Sequence, residues 1–296
     1  MEVLNNTMNL IYVVENKSTI NEILNSQFHF SARLKTKLIK SKNVLLNGLF
    51  IDTRLTANPG DTITIILDYP EDNSNIVSKK MDLDILYEDA FLLAINKPYG
   101  IPVHPSILHF EDSLSNGVKY YFDKIGLYKK IRPINRIDLN TSGLVLFAKC
   151  EYVQECLIKQ MQDKAFLKTY LALVYGTLNE KIGTIKKPIA RKGNSIIERC
   201  ISPIGQEAVT HYKVIKEFND YSLLECNLET GRTHQIRVHL SSMGNPLLGD
   251  TLYGYKGSTL INRQALHSYK MEFIHPIFEK SISITSPIPN DIKKLL

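Results

Sequence analysis

The sequence predicts an α+β protein whose main sheet is mostly antiparallel, preceded by a smaller module. Three observations carry this. From about Asp82, strand-like runs (LLAIN, GLVLFAK, TYLALVYG, YSLLECNL) are interspersed with helical ones (Leu114 to Phe122, Tyr152 to Asp163), without the strict alternation of βαβ units. No glycine-rich phosphate loop follows a strand, which argues against a doubly wound nucleotide fold. Residues 69–81, YPEDNSNIVSKKM, are polar and carry Pro, Asn and Ser, the composition of a connection. A chain of 296 residues fits two domains. The expected division is a module over 1–70, a linker over 71–81 and a larger domain over 82–296.

In the module, Ser18 to Leu24 reads as a short helix with Ser18 as its N-cap. A second helix follows over 31–42, capped by Ser31, with Leu34 and Leu38 four apart on the inward face. Arg33, Lys37 and Lys40 recur at i, i+4 and i+7 and form a basic stripe. Asn47-Gly48 between apolar runs signals a hairpin, and Pro59-Gly60-Asp61 a second turn before TITIIL. Between residues 31 and 54, Arg33, Lys35, Lys37, Lys40, Lys42 and Arg54 face Asp52 alone, so nearly all of the chain's net charge of +6 is concentrated there.

Composition removes several classes. Apolar residues make up 44% and charged ones 22%, which is ordinary for a chain that buries a core. The pI of about 8.9 permits a polyanionic partner without demanding one. Cys150, Cys156, Cys200 and Cys226 are scattered and form no C-x-x-C, so neither a disulfide scaffold nor a zinc ribbon is expected. The N-terminus has no basic stretch leading into an apolar core, and no apolar run approaches the ~20 residues of a membrane span. A cytoplasmic, reduced protein is expected.

Three segments place polar groups beside apolar strands. The first, PINRIDLNTSG (133–143), leads into LVLFAK. Asp138 there could be a catalytic carboxylate, but on this segment alone it reads first as a turn aspartate that satisfies backbone N–H groups, since such turns are common. A calcium loop is excluded, because Lys149 stands where the bidentate Glu would be. The second, ETGRTHQIRVHLSSMG (229–244), reads as a helix capped by Thr233, with Ile236, Leu240 and Met243 inward and Gly244 as its stop. Arg237 in its first turn opposes the helix dipole and so implies a carboxylate or phosphate partner. His234 and His239 are five apart, which excludes a paired zinc site on one helix face. The third, FLKTYLALVYG (166–176), puts Lys168 and Tyr170 on one strand face, where a tyrosine serves either core or catalysis. Lys186, Lys187, Arg191, Lys192 and Arg199 flank a Gly193-Asn194 turn and read as a basic hairpin.

These blocks together resemble the Rlu-type family of RNA pseudouridine synthases. The resemblance rests on INKPYGIPVHPS (95–106), RPINRIDLNTSGLVLFAK (132–149), KTYLALVYG (168–176), TGRTHQIRVHLSSMGNPLLGDTLYG (230–254) and RQALHSYKMEFIHP (263–276), in the family's order. Residues 1–70 resemble the S-four-like RNA-binding module that often precedes this catalytic domain, through the basic helix and VLLNG…NPGDTITI. The resemblance implies a pseudouridine synthase catalytic domain that breaks the uridine N1–C1′ bond, turns the uracil and rejoins it through C5, with no metal and no cofactor. It implies Asp138 as the catalytic aspartate, Arg237 as its pairing arginine and Tyr170 as the tyrosine lying against the uracil. Arg136 matches the arginine associated with base flipping, since a stacked uracil must be extruded before it can react. Arg33, Lys37 and Lys40 would then grip RNA, with ribosomal RNA or transfer RNA as partner, no membrane, and a monomer. The chain departs from the family at Asn135, where His is usual, at Ile137 for Leu, and at Asn245 for His. Two other readings compete: a non-catalytic RNA-binding factor, and a glycosidase, for which the second carboxylate is missing.

Overall fold

A computed structural model describes residues 8–51, 54–255 and 260–296. Asp52, the one acid of the basic N-terminal stretch, lies outside them. The expected α+β class holds. The first 66 residues supply a four-stranded antiparallel sheet, in the order Asn9–Val13, Thr62–Ile66, Val44–Leu46, Leu49–Phe50. Two helices, Ile20–Ser26 and Ala32–Lys40, accompany it. Asn47 and Gly48 both take positive φ, 49° and 81°, as the two-residue hairpin turn requires. Leu34 and Leu38 are fully buried, each worth about 1.5–3 kcal/mol of apolar burial. Ser31 caps its helix by accepting from the Leu34 N–H at 3.1 Å. The preceding helix is capped by Thr19 rather than Ser18. Thr19 and Glu22 form a reciprocal capping box, which a serine one residue earlier cannot reach.

The larger sheet has ten strands. Its main order is Ile182–Lys186, Val209–Glu217, Tyr221–Leu228, Leu167–Tyr175, Leu266–Ile274, Ser142–Ala148, Leu92–Lys97, Ile85–Glu88, with Ser281–Thr285 and Arg132–Pro133 added at the side. All its ladders are antiparallel except one. Ser142–Ala148 runs parallel to Leu266–Ile274, paired only through Ser142 with His267 and Gly143 with Ser268. Gly143 permits this approach: with φ at +109°, a Cβ there would stand 2.2 Å from the Ser268 carbonyl oxygen. The strand Ser142–Ala148 is buried along its whole length, consistent with its unbroken apolar run.

The small sheet and its helices share one apolar cluster with the main sheet's helix Glu151–Gln162, and Phe30 meets Tyr152 edge-on at 5.0 Å. The polar connection after Ile66 contains no helix or strand before Ile85, but it is pinned down. Glu71 receives both terminal nitrogens of Arg132 at 2.6 Å, and Lys129 donates to the Leu67 and Tyr69 carbonyls. The basic segment forms the expected hairpin, Ile189–Arg191 against Arg199–Ile201. Among the described residues, no helix is long and apolar enough to cross a membrane.

Candidate active site

Asp138 sits in the loop between strands Arg132–Pro133 and Ser142–Ala148, and three anchors fix that loop. Asn135 donates to the Leu144 carbonyl at 3.0 Å and accepts from the Leu146 N–H at 2.9 Å, so its amide zips the loop to the following strand. The Thr141 N–H closes a turn on the Asp138 carbonyl. The wholly buried Lys97 spreads its ammonium over the carbonyls of Pro98, Ile101 and Leu139, at 2.8, 2.7 and 3.0 Å. Burial pulls the Lys97 amine down to about 7; the Asp138 charge opposes this and Arg263 adds to it.

Arg237 comes from the helix Gln235–Ser241. That helix is capped by His234, in the left-handed region at φ 59°, and not by Thr233. Ile236 and Leu240 face inward as expected, whereas Met243 is exposed, because the helix ends before it. The guanidinium is shared between two acids. Its Nε and Nη2 grip Asp250 bidentately at 2.7 and 2.9 Å, and Nη1 reaches Asp138 Oδ2 at 3.1 Å. The expected carboxylate partner is thus present, but the two-pronged grip belongs to Asp250, which is wholly buried, while the Asp138 side chain stays 23% exposed. Burial disfavours the charge on both Arg237 and Asp250, and their mutual hydrogen bonds and attraction outweigh it. Arg237 holds its proton more tightly than usual and Asp250 stays ionised below the ordinary carboxylate range. Backbone N–H groups of Leu252 and Tyr253 complete the Asp250 shell.

His234 stands beside this cluster, its Nε2 at 3.9 Å from Asp138 Oδ2. The Tyr253 hydroxyl accepts from the Arg199 N–H at 2.8 Å and is also hydrogen-bonded to His234 Nδ1 at 2.8 Å. Burial lowers the His234 pKa, against the pull of Asp138.

Asp138, Tyr170, Arg237 and Arg136 all line one cavity of ≈ 950 Å³. Tyr170 is buried in its wall, at an irregularity where the neighbouring strand skips from Lys270 to Ser268. Bulges of this kind often aim a side chain beside a reactive site. Burial pushes the phenol up to about 12; a Ser268 hydrogen bond opposes this and the Asp138 charge reinforces it. Arg136 is exposed on the same wall.

The basic stripe of the N-terminal helix is not part of this cavity. Lys37 is engaged elsewhere: its ammonium lies 2.6 Å from Glu151 and 3.1 Å from Glu71, over the Tyr69 ring. Arg33 leans on the same Glu151 at 3.9 Å. Lys40 alone of the three is exposed without an acidic partner among the described residues. Helical periodicity had identified a polar face; it could not tell that acids from distant segments cover part of it.

A sequence profile of the RNA pseudouridylate synthase family matches residues 91–242. The chain is 41% identical over 288 residues to an uncharacterized RNA pseudouridine synthase, YhcT, of Bacillus subtilis (strain 168), covering 93% of this chain and 94% of that one. The chain belongs to the RNA pseudouridine synthase family. This synthase is also 35% identical over 280 residues to the ribosomal large subunit pseudouridine synthase D of Xylella fastidiosa, covering 90% of this chain and 84% of the relative. In fold it is similar to human RNA pseudouridylate synthase domain containing 1, with a TM-score of 0.58 and 24% identity over 70% of this chain and 83% of that one. The family's enzymes are isomerases that act on RNA. The Rlu-type resemblance read from the sequence therefore holds for the catalytic part.

Sequence reasoning missed three members of the site. Asp250 lies in the quoted LLGDTLYG block, yet nothing in its spacing ties it to Arg237. Lys97 lies in INKPYG, where only its complete burial reveals its work. The spacing of His234 to His239 speaks only to a metal pair; among the described residues no cluster of three or more His, Cys, Asp or Glu could hold a metal ion.

Proposed function

We propose that this synthase isomerises uridine to pseudouridine in ribosomal RNA, with Asp138 as the catalytic carboxylate. The observation that supports it best is the Asp138–Arg237 contact at 3.1 Å on the wall of a ≈ 950 Å³ cavity, within the size range of sites that enclose small ligands. The reaction breaks the N1–C1′ bond and makes a C5–C1′ bond, so a proton must leave C5 and another must reach N1, with no net change in composition. Asp138, partly open to the cavity and held by a fixed cation, serves as the acid–base or nucleophilic group at the reacting nucleotide. Tyr170 presents a neutral phenol against the uracil. Arg136 fills the stack that the extruded uridine leaves. Relatives named as ribosomal large subunit synthases favour ribosomal RNA over transfer RNA as the substrate.

The same reading assigns residues 1–70 to an S-four-like RNA-binding module, 71–81 to the connection and 82–296 to the catalytic domain, with Lys40, exposed and without an acidic partner among the described residues, offering a cation to phosphate. The test uses unmodified transcripts of ribosomal and transfer RNA, scored for carbodiimide-resistant uridine adducts. Wild type should form product in a ribosomal transcript. Asp138→Asn should form none while still binding the RNA. Activity surviving in Asp138→Asn would remove the assignment, and a folded wild type with no product on any transcript would remove the function.

A further inference from the structure

Two residues before Tyr170, on the same face of the strand Leu167–Tyr175, lies a cation that the chemistry above leaves unused. Lys168 lines the ≈ 950 Å³ cavity and also a second one of ≈ 450 Å³, so it stands where the two share a wall. Its ammonium lies beside Gly231: a Cβ placed there would be 3.9 Å from Nζ. Gly231 lines the larger cavity too.

What sets Lys168 apart is the absence of a partner. The other recessed lysines are all satisfied. Lys97 has its three carbonyls, Lys129 has Leu67 and Tyr69, and Lys149 has Glu88 and the Asp89 carbonyl. The other lysines around the second cavity are paired as well, Lys164 with Glu229 and Lys270 with Glu272. Among the described residues, Lys168 has neither a hydrogen bond nor an ion pair. Burial alone acts on it, lowering its pKa with nothing to offset the loss of water. A recessed ammonium without a counter-charge is costly to keep. The cost is recovered when a ligand brings the negative charge.

We propose that Lys168 is a phosphate-binding residue, whose ammonium takes a non-bridging oxygen of the phosphodiester next to the target uridine. This rests on the reading that RNA enters the larger cavity. Uracil and ribose are neutral, so phosphate is the one anion such a ligand presents. Lys168 and Asp138 line the same cavity, so a nucleotide held there can meet both. A compact ammonium with three donors suits a phosphate oxygen without demanding a fixed fork geometry.

The test compares wild type with Lys168→Met and Lys168→Arg, on the unmodified ribosomal transcript, with circular dichroism melts as the check on folding. Lys168→Met should weaken RNA binding about tenfold at moderate salt and flatten the plot of log affinity against log salt by about 0.7–0.9, the loss of one phosphate contact. Lys168→Arg should restore the slope. The loss should fall mainly on KM, with the saturating single-turnover rate reduced far less. With wild-type protein, a neutral methylphosphonate beside the modified uridine should reproduce the same loss, which keeps the proposal testable if Lys168→Met does not fold. An unchanged slope in folded Lys168→Met overturns the phosphate contact. So does a collapse of the saturating rate with a shifted pH profile, which would place Lys168 in proton transfer. If the slope falls but wild type forms no pseudouridine, the phosphate contact stands and the proposed function fails.

Discussion

Asp250 should control the reactive site without touching its substrate. Its carboxylate is wholly buried and accepts four hydrogen bonds: Arg237 Nε at 2.7 Å, Arg237 Nη2 at 2.9 Å, and the Leu252 and Tyr253 N–H groups at 3.0 and 3.1 Å. Asp250→Ala strips a buried guanidinium of its two-pronged partner. Removing one member of a buried ion pair costs about 3–5 kcal/mol. Two orphaned backbone donors add to this, at roughly 1–3 kcal/mol for each that water cannot reach. A domain of ordinary stability, about 5–15 kcal/mol, would be left marginal. Asp250→Asn keeps the shape and two acceptor lone pairs and should cost less. In Asp250→Asn, Arg237 is no longer held from behind and shifts toward Asp138, and a displacement of an ångström at a reacting group lowers the rate by about a hundredfold. The assays are urea unfolding followed by circular dichroism, and single-turnover pseudouridine formation at saturating RNA. The double substitution Asp250→Ala with Arg237→Met should be more stable than Asp250→Ala alone, because it also removes the stranded charge. The reasoning is refuted if Asp250→Ala unfolds at the wild-type urea concentration and keeps the wild-type rate.

Three further outcomes follow from other contacts. Tyr170 is pushed up to about 12, above the ~10 of an exposed phenol, so between those values the unfolded chain loses its proton first and folding weakens as pH rises. A phenolate absorbance titration of wild type minus Tyr170→Phe should show no step centred near pH 10. Lys97→Met strips three carbonyls of their donor and frees the loop beside Asp138; it should cost about 2–4 kcal/mol in urea unfolding, and a wild-type midpoint would show that the loop needs no such tie. Lys37→Met should loosen the N-terminal helix, seen as faster amide exchange over 32–40, while Lys40→Met should leave exchange unchanged and weaken RNA binding. The reverse pattern would return Lys37 to the RNA-binding face.

Local chemistry made much of the architecture readable. Ser31 as a cap, Leu34 and Leu38 as an inward pair, and Asn47-Gly48 as a hairpin are each decided within a few residues, and the structure keeps all three. The strand runs were legible because a buried sheet demands unbroken apolar stretches. Contacts between distant segments were harder. An arginine in the first turn of a helix announced a missing acid, yet could not say that two acids share it, because Asp250 and Asp138 converge only through the fold. Lys37 shows the same limit: its charge placed it on a polar face, and only tertiary packing brought Glu71 and Glu151 against it. Asn135 is the opposite case. It is a departure from the family's His, and its amide bonds both a donor and an acceptor of the adjoining strand, so the position serves to anchor the loop here.

The parallel contact at Ser142–Gly143 and His267–Ser268 divides the candidate site as well as the sheet. Asp138 hangs from one side of that seam; Tyr170 and Arg237 hang from the other. The backbone ladder that joins these two parts is two residues long, and it is reinforced by side-chain bonds from Ser142 to His267, Ser268 to Leu144 and Arg263 to Asn140. A methyl added at Gly143 would meet the Ser268 backbone and force that ladder apart, so the spacing between Asp138 and Arg237 depends on a residue that has no functional group at all.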